Sequence, residues 1–207
     1  MSPRKAAALR GSDDALRDHL VTTAQRLIAD QGAAGLTVRA IARAAGVADG
    51  VLYNHFSDKD ELLAAAVGAH VAAAHAELGP LPEPGTSTVR ANLVIYLRAG
   101  LALHRAVLPV FAGLLSTPAV LTRFAESEAR DRDWREQLAA YLQAERDLGR
   151  LAPTADIAAA TAVLVGVCHD AVLTTLLPGT TAPPTTRPEI DVDAIVATLL
   201  VGIAPPA

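Results

Sequence analysis

Apolar residues recur along this chain at helical spacing. Leu16, Leu20, Ala24, Leu27 and Ile28 fall on one face and predict a helix that opens at Ser12, with Asp13 and Asp14 in its first turn. The stretch "DQGAAGLT" ends it. Thr37 then predicts an N-cap, and Val38, Ile41, Ala42 and Ala45 repeat at i, i+3, i+4 and i+7. Gly46 stops this short helix, because a tight turn needs a backbone angle that glycine accepts cheaply. A second short helix is expected over about 48–55, with Val51, Leu52 and Tyr53 as its bulky residues. Ser57 or Asp58 caps the next, which has Asp60 and Glu61 in its first turn and runs to about Leu78.

Residues 79–88, "GPLPEPGTST", read as a loop. Periodicity resumes over 88–106, where Leu93, Leu97, Leu101 and His104 share a face. Pro109 and Pro118 predict a short helix near 110–115 and a longer one near 118–148. The polar run 126–137 reads as a solvated face. Strongly apolar helices are expected at 155–177 and 190–203, with a Pro- and Thr-rich loop between them. No strand pattern or internal repeat competes. The expectation is an all-α chain of about nine helices. A helical module over 1–57, with a basic arm at Arg4, Lys5 and Arg10, precedes a larger helical domain over 58–207.

Composition agrees with close helix packing. Of 207 residues 51% are hydrophobic but only 3% aromatic, so Ala, Leu and Val must fill the core. The net charge of −4 argues against non-specific nucleic-acid binding. Its distribution weakens that objection. Residues 1–60 hold eight Lys and Arg against seven acids, and residues 61–207 hold ten against fifteen. The lone Cys168 excludes an intrachain disulfide and a cysteine zinc cluster. The N-terminus lacks the apolar run of a secretory signal. The best membrane candidate, 157–168, is too short before His169 and Asp170 interrupt it. A soluble, cytoplasmic protein is expected.

Two short helices about a glycine turn, with a third helix ahead of them, form the helix-turn-helix arrangement. In that arrangement the second short helix enters the major groove. Val38, Ile41, Val47 and Leu52 would make its small core. Tyr53, His55 and Lys59 would reach phosphates, and Thr37 offers a hydroxyl and a helix start. Periodicity and Gly46 alone leave ordinary helix packing equally open.

The segment "LTVRAIARAAGVADGVLYNHFSDKDELL", residues 36–63, resembles the signature of the tetracycline-repressor (TetR) family of bacterial regulators. Thr37, Ile41, Ala42, Ala45, Gly46, Val47, Leu52, Tyr53, His55, Phe56, Lys59 and Leu62 carry the likeness, and it extends over about 13–65. The resemblance implies a ligand-responsive regulator, most often a repressor. It would bind a pseudo-palindromic double-stranded DNA operator as a homodimer, and a small apolar or amphipathic effector would release it. It implies phosphate contacts from Thr37, Tyr53, His55 and Lys59, and base-edge reading near Ala48, Asp49, Gly50 and Asn54. Two positions depart from the pattern. Ala48 stands where a capping Ser is frequent, a loss of roughly 1 kcal/mol. Asp49 replaces a residue that is often basic or polar; its carboxylate repels phosphates but can accept from cytosine N4. Gly50 permits close approach rather than reading a base. Specificity would then lean on Asp49, Asn54, Arg39 and Arg43.

In that family the last two helices make the dimer, which here places the interface on 155–177 and 190–203, and the middle helices enclose the effector pocket. Candidate pocket residues are Tyr96, Leu97, Leu101, His104, Phe111, Phe124, Trp134, Leu138, Tyr141 and His169. For His169 and Asp170 three readings stand: a buried hydrogen-bonded pair, part of a pocket, or a polar spot in a helix interface. His70 and His75 are five apart, which does not suit a metal site on one helix face. No GxSxG, P-loop, dinucleotide or HExxH pattern occurs, so no enzymatic activity, cofactor or metal is expected. The competing expectation is a helical interaction or ligand-binding protein that has lost DNA binding.

Overall fold

The computed structural model describes residues 13–33, 35–127, 134–176 and 190–203. The basic arm, Ser12, the middle of the polar run and the loop before residue 190 lie outside the described residues. Nine helices and no strand occur among the described residues: α1 Asp13–Gln31, α2 Val38–Ala45, α3 Asp49–Leu52, α4 Lys59–Glu77, α5 Val89–Gly113, α6 Pro118–Glu126, α7 Trp134–Asp147, α8 Ile157–Leu176 and α9 Val192–Ile203. The packing forms two compact units. The first is 1–74 with 109–131, and the second is 75–108 with 132–207.

The expected helix number holds through two compensating differences. Pro109 does not interrupt the chain; α5 runs through it to Gly113. A proline inside a helix costs about 3 kcal/mol through its missing N–H and its ring. Immediately beyond it Val110 and Leu114 are buried in the first unit's core. Burying two such side chains contributes roughly 1.5–3 kcal/mol each, enough to offset the proline. The single helix expected over 118–148 is instead described as two, α6 and α7. α6 stops at Ser127, whose N–H returns to the Phe124 carbonyl and whose hydroxyl donates to the same oxygen.

In the first unit, Leu20, Ala24 and Ile28 of α1 pack with Ile41, Ala42 and Ala45 of α2, Leu52 of α3 and Leu62, Leu63, Ala66 and Val67 of α4. Val38 and Val47, expected in this core, are half-buried against it. Phe111 and Phe124 also pack here, with ring centroids 5.3 Å apart.

In the second unit α7 packs on α8. Leu93, Leu97, Leu101, Trp134, Leu138, Leu142, Leu164 and Cys168 are all buried. Burial pushes the Cys168 thiol up to about 12, which makes it an inert small core residue. The 79–88 loop is pinned rather than free. Asn92 donates to the Thr86 carbonyl at 2.7 Å, Gly85 N–H to buried Glu145 at 3.1 Å, and Arg150 to the Ser87 carbonyl. Arg150 also faces Glu145 at 3.2 Å. The turn after α7 explains why "GRLAPT" ends that helix. Gly149, with φ 72°, returns its N–H to Arg146, and Arg150 returns its own to Glu145.

By length and composition alone, α5 and α8 are each apolar enough to cross a membrane. This corrects the expectation that only a shorter run came close, because the helix of 157–176 continues past His169 and Asp170. Both helices also supply buried residues to the second unit.

Gly100 lies under the face of Trp134. A Cβ built there would meet the indole ring at 2.3 Å, and the ring is 2% exposed. Gly100→Ala should therefore lower the urea midpoint by the equivalent of about 1–3 kcal/mol with little change in m value. An unchanged midpoint would show that the indole yields without cost.

Candidate nucleic-acid interface

Three local devices set the geometry of the helix-turn-helix. Thr37 caps α2: its Oγ1 accepts from the Ala40 N–H at 3.1 Å. Gly46 adopts φ 73° and ends α2. Its N–H reaches the Arg43 carbonyl and that of Val47 reaches Ala42, which satisfies two otherwise orphaned acceptors. His19 Nε2 lies 3.1 Å from the Ala45 carbonyl and joins α1 to the same turn.

α3 is shorter than the expected 48–55. Only Asp49–Leu52 is α-helical, and Ala48 supplies no side-chain cap. The chain keeps turning beyond it, through N–H bonds from Asn54 to Val51, His55 to Leu52 and Phe56 to Leu52. The tighter i−3 spacing of the first two is why the α-helix stops while the helical path continues. Phe56, 3% exposed, anchors the end of this path.

Thr37, Arg39, Arg43, Ala48, Asp49, Gly50, Tyr53 and Asn54 are all exposed, and Lys59 is half-buried at the start of α4. Tyr53 is 60% exposed, so it is not a core aromatic. His55 differs from its neighbours. Its side chain is 5% exposed, with Nδ1 3.4 Å from an Asp13 carboxylate oxygen. Its ring braces the start of α1 rather than facing outward with the others.

Asp49 is also not a lone carboxylate. Its Oδ2 accepts from Arg39 Nε at 3.3 Å, linking α2 to α3 across the turn. Both side chains are more than half exposed, so the pair adds at most about 1 kcal/mol to stability. Its chief effect is to offset the negative charge on this face and to orient Arg39.

A polar ring follows, which the sequence did not reveal. Asp58 Oδ1 accepts from the Glu61 N–H at 2.9 Å, and Glu61 Oε2 accepts from the Ser57 N–H at 2.7 Å, a reciprocal cap on α4. Arg123 of α6 donates to both Asp58 oxygens at 2.9 and 2.7 Å. Arg17 of α1 lies 3.7 Å from Glu61, with its guanidinium 4.8 Å from the centre of the Phe56 ring. The Glu61 N–H, and then Arg123, hold the Asp58 carboxyl below its usual range. The Ser57 N–H, and then its hydroxyl, do the same for Glu61.

The candidate effector residues divide between the units. Phe111 and Phe124 belong to the first unit's core. Tyr96, Leu97, Leu101, His104, Trp134, Leu138, Tyr141 and His169 lie in the second. There Tyr96 stacks on Tyr141 at 4.6 Å. His104 meets Trp134 edge-on at 5.4 Å and lies 5.1 Å from His169. His104 Nδ1 is 2.7 Å from the Gly100 carbonyl. Among the described residues the buried Trp134 Nε1 has no hydrogen-bond acceptor, and the buried Tyr141 hydroxyl, though Asn92 and Glu145 are near it, makes no geometrically sound hydrogen bond. Burial, and then Glu145, raise the Tyr141 pKa. Asp170 is exposed, which rules out a buried His169–Asp170 pair. α8 and α9 flank an open groove of about 690 Å³ lined by Ala159, Val163, Ile195 and Leu199 among others.

Both depressed carboxylates contribute stability above their unfolded pKa values, near 3.9 and 4.3, and lose it as pH falls through their lowered folded values. The wild-type urea midpoint should therefore drop below about pH 4.3. The Asp58→Asn, Glu61→Gln double variant should show a shallower drop. Parallel pH profiles for the two proteins would disprove this role for the ring.

Residues 20–66 match the family model described as bacterial regulatory proteins, tetR family. No curated protein matches the chain. Among solved structures, the flavonoid-responsive regulator FrrA aligns at 21% identity and TM-score 0.65, covering 93% of this chain and 98% of its own. A tetR-family transcriptional regulator from Mesorhizobium loti aligns at 17% identity and TM-score 0.64, with the same coverages. The multidrug-binding protein EbrR, solved with imidazole, aligns at 23% identity and TM-score 0.57, covering 92% and 96%. At these identities the likeness concerns the fold. Residues 20–66 thus carry the tetR-family signature of bacterial regulatory proteins, and the fold over the described residues is similar to that of solved tetR-family regulators.

Proposed function

We propose that this chain is a cytoplasmic, ligand-responsive repressor that binds a pseudo-palindromic operator as a homodimer and leaves it when a small apolar or amphipathic effector binds. One observation carries the DNA reading. The exposed residues around the Gly46 turn form one face over a packed three-helix core. Thr37, Tyr53 and Lys59 contact phosphates, and the start of α4 adds backbone N–H groups. His55 acts as a brace on Asp13. Base reading falls to the Asp49–Arg39 pair and Asn54, with Ala48 and Gly50 permitting close approach. The DNA-reading residues lie within 1–57 together with Lys59 and the start of α4, and the helices beyond supply the effector and dimer functions.

The homodimer reading is supported by the outer face of α8 and α9. Val163 is exposed at the apolar groove, Leu173 and Val201 are exposed elsewhere on the same two helices, and exposed apolar surface of that kind favours a second copy. The effector reading is supported by the second unit's ring cluster, where buried Trp134 Nε1 lacks an acceptor among the described residues. FrrA is described as flavonoid-responsive and EbrR as multidrug-binding. An aromatic molecule carrying a hydrogen-bond acceptor suits His104, Trp134, Tyr141 and His169. Such an effector releases DNA only if it binds better to a form whose reading heads do not match the operator.

Trp134 is the only tryptophan, so intrinsic fluorescence reports on this cluster alone. Titration with flavonoid-type aromatics should change that emission and release a bound operator. A compound that binds and leaves operator affinity unchanged would not be the effector. For the DNA side, genomic fragments should bind with sequence preference and a steep salt dependence. Tyr53→Ala and Lys59→Ala should weaken binding on every sequence, and Lys59→Ala should reduce the salt slope by about 1. Asp49→Ala frees Arg39 and should change which sequence is preferred. Absence of any salt-dependent, selective binding by the wild type would leave a helical protein that has lost DNA binding.

A further inference from the structure

Arg123 and Asp58 are 65 positions apart in sequence, yet the guanidinium donates to both oxygens of the carboxylate. Asp58 follows Tyr53 by five residues and directly precedes Lys59. Its Oδ1 also caps α4, so one side chain both starts the helix and fastens it to α6. α6 is itself firmly seated. Val120 is fully buried, and Leu121 and Phe124 pack on the core shared by α1–α4. A two-pronged Arg–carboxylate pair fixes orientation as well as distance, which a single charge contact does not.

From this geometry we infer that Arg123 is a positioning residue for operator reading: through Asp58, α6 holds the recognition turn and the start of α4 at the angle that meets the duplex. The inference rests on the DNA-binding reading above. Phosphate contacts set a protein's register on DNA. A change of angle at Asp58 moves Tyr53, Lys59 and the α4 N-terminus together. Both partners are more than a third exposed, so the pair contributes little to stability, and its effect belongs in binding.

The test uses the full chain and an operator fragment recovered by the genomic titration. Arg123→Ala and Asp58→Asn each remove the two-pronged pair, and Asn still caps a helix. Arg123→Lys keeps the charge but loses the fork. Arg90→Ala, at an exposed position of α5, is the control. Operator affinity should fall about tenfold in Arg123→Ala and Asp58→Asn, and less in Arg123→Lys. The slope of affinity against salt should stay at the wild-type value, since no phosphate contact is removed. Thermal midpoints should stay close to wild type. Binding within about twofold of wild type in both variants, with folding intact, overturns the inference. So does a salt slope lowered by about 1, which would make Arg123 a direct phosphate ligand. If Arg123→Ala fails to fold, Asp58→Asn and Arg123→Lys decide the matter. A wild type that selects no DNA sequence defeats the DNA reading, a result distinct from wild-type binding that the variants leave unchanged.

Discussion

The proposed DNA face depends on the backbone of Gly46. With φ 73°, it turns the chain sharply enough for its own N–H and that of Val47 to close the end of α2. A residue with a Cβ would pay a steric penalty of about 1–2 kcal/mol in this left-handed conformation. The turn sends Val47 inward and leaves Ala48, Asp49 and Gly50 outward. Because α2 ends here, Ala45 offers its carbonyl to His19, and α1 is fixed to the same point. The relation of α2 to α3, and hence of Arg39 to Asp49, follows from this one turn.

Around that turn, charge is used sparingly and in pairs. Asp49 faces Arg39, Asp58 holds Arg123, Glu61 lies near Arg17, and His55 faces Asp13. Asp49 and Asp58 are thereby offset by a guanidinium, and Asp58 and Glu61 are engaged in the reciprocal cap of α4. This explains how a nearly neutral N-terminal segment can suit a polyanion. The net sum is small, and Asp49, Asp58 and Glu61 are engaged by protein groups. Tyr53 and Thr37 contribute hydroxyl donors that add no charge.

What the sequence disclosed, and what it did not, follows the range of the interactions. The Thr37 cap and the Gly46 stop depend on residues within one helical turn, and both were legible. Asp58 as a cap was legible for the same reason. Its second role was not, because Arg123 comes near it only after α6 has packed. Pro109 misled because local cost was weighed without the burial of Val110 and Leu114 just beyond. α3 came out short because Gly50 and an uncapped Ala48 make a weak helix, and periodicity does not register a change from i−4 to i−3 bonding. His55 could not be told from its exposed neighbours, since its contact is with Asp13, 42 positions away at the start of α1. Among the candidate effector residues, helix-face periodicity identified apolar positions but not which core each joined, so Phe111 and Phe124 were grouped with residues of the other unit.

Scarcity of aromatics sharpens the meaning of the few that are present. Most of the core is Ala, Leu and Val, which pack closely and leave little for a ligand to recognise. In the second unit Tyr96 stacks on Tyr141, and His104 lies against both Trp134 and His169. Gly100 makes room for the indole, since a Cβ at that position would collide with the ring. A buried indole N–H with no acceptor among the described residues carries a desolvation penalty of about 1–3 kcal/mol. The packing of Gly100 against Trp134 therefore fixes where the indole sits in the second unit, and with it His104, which meets the ring edge-on.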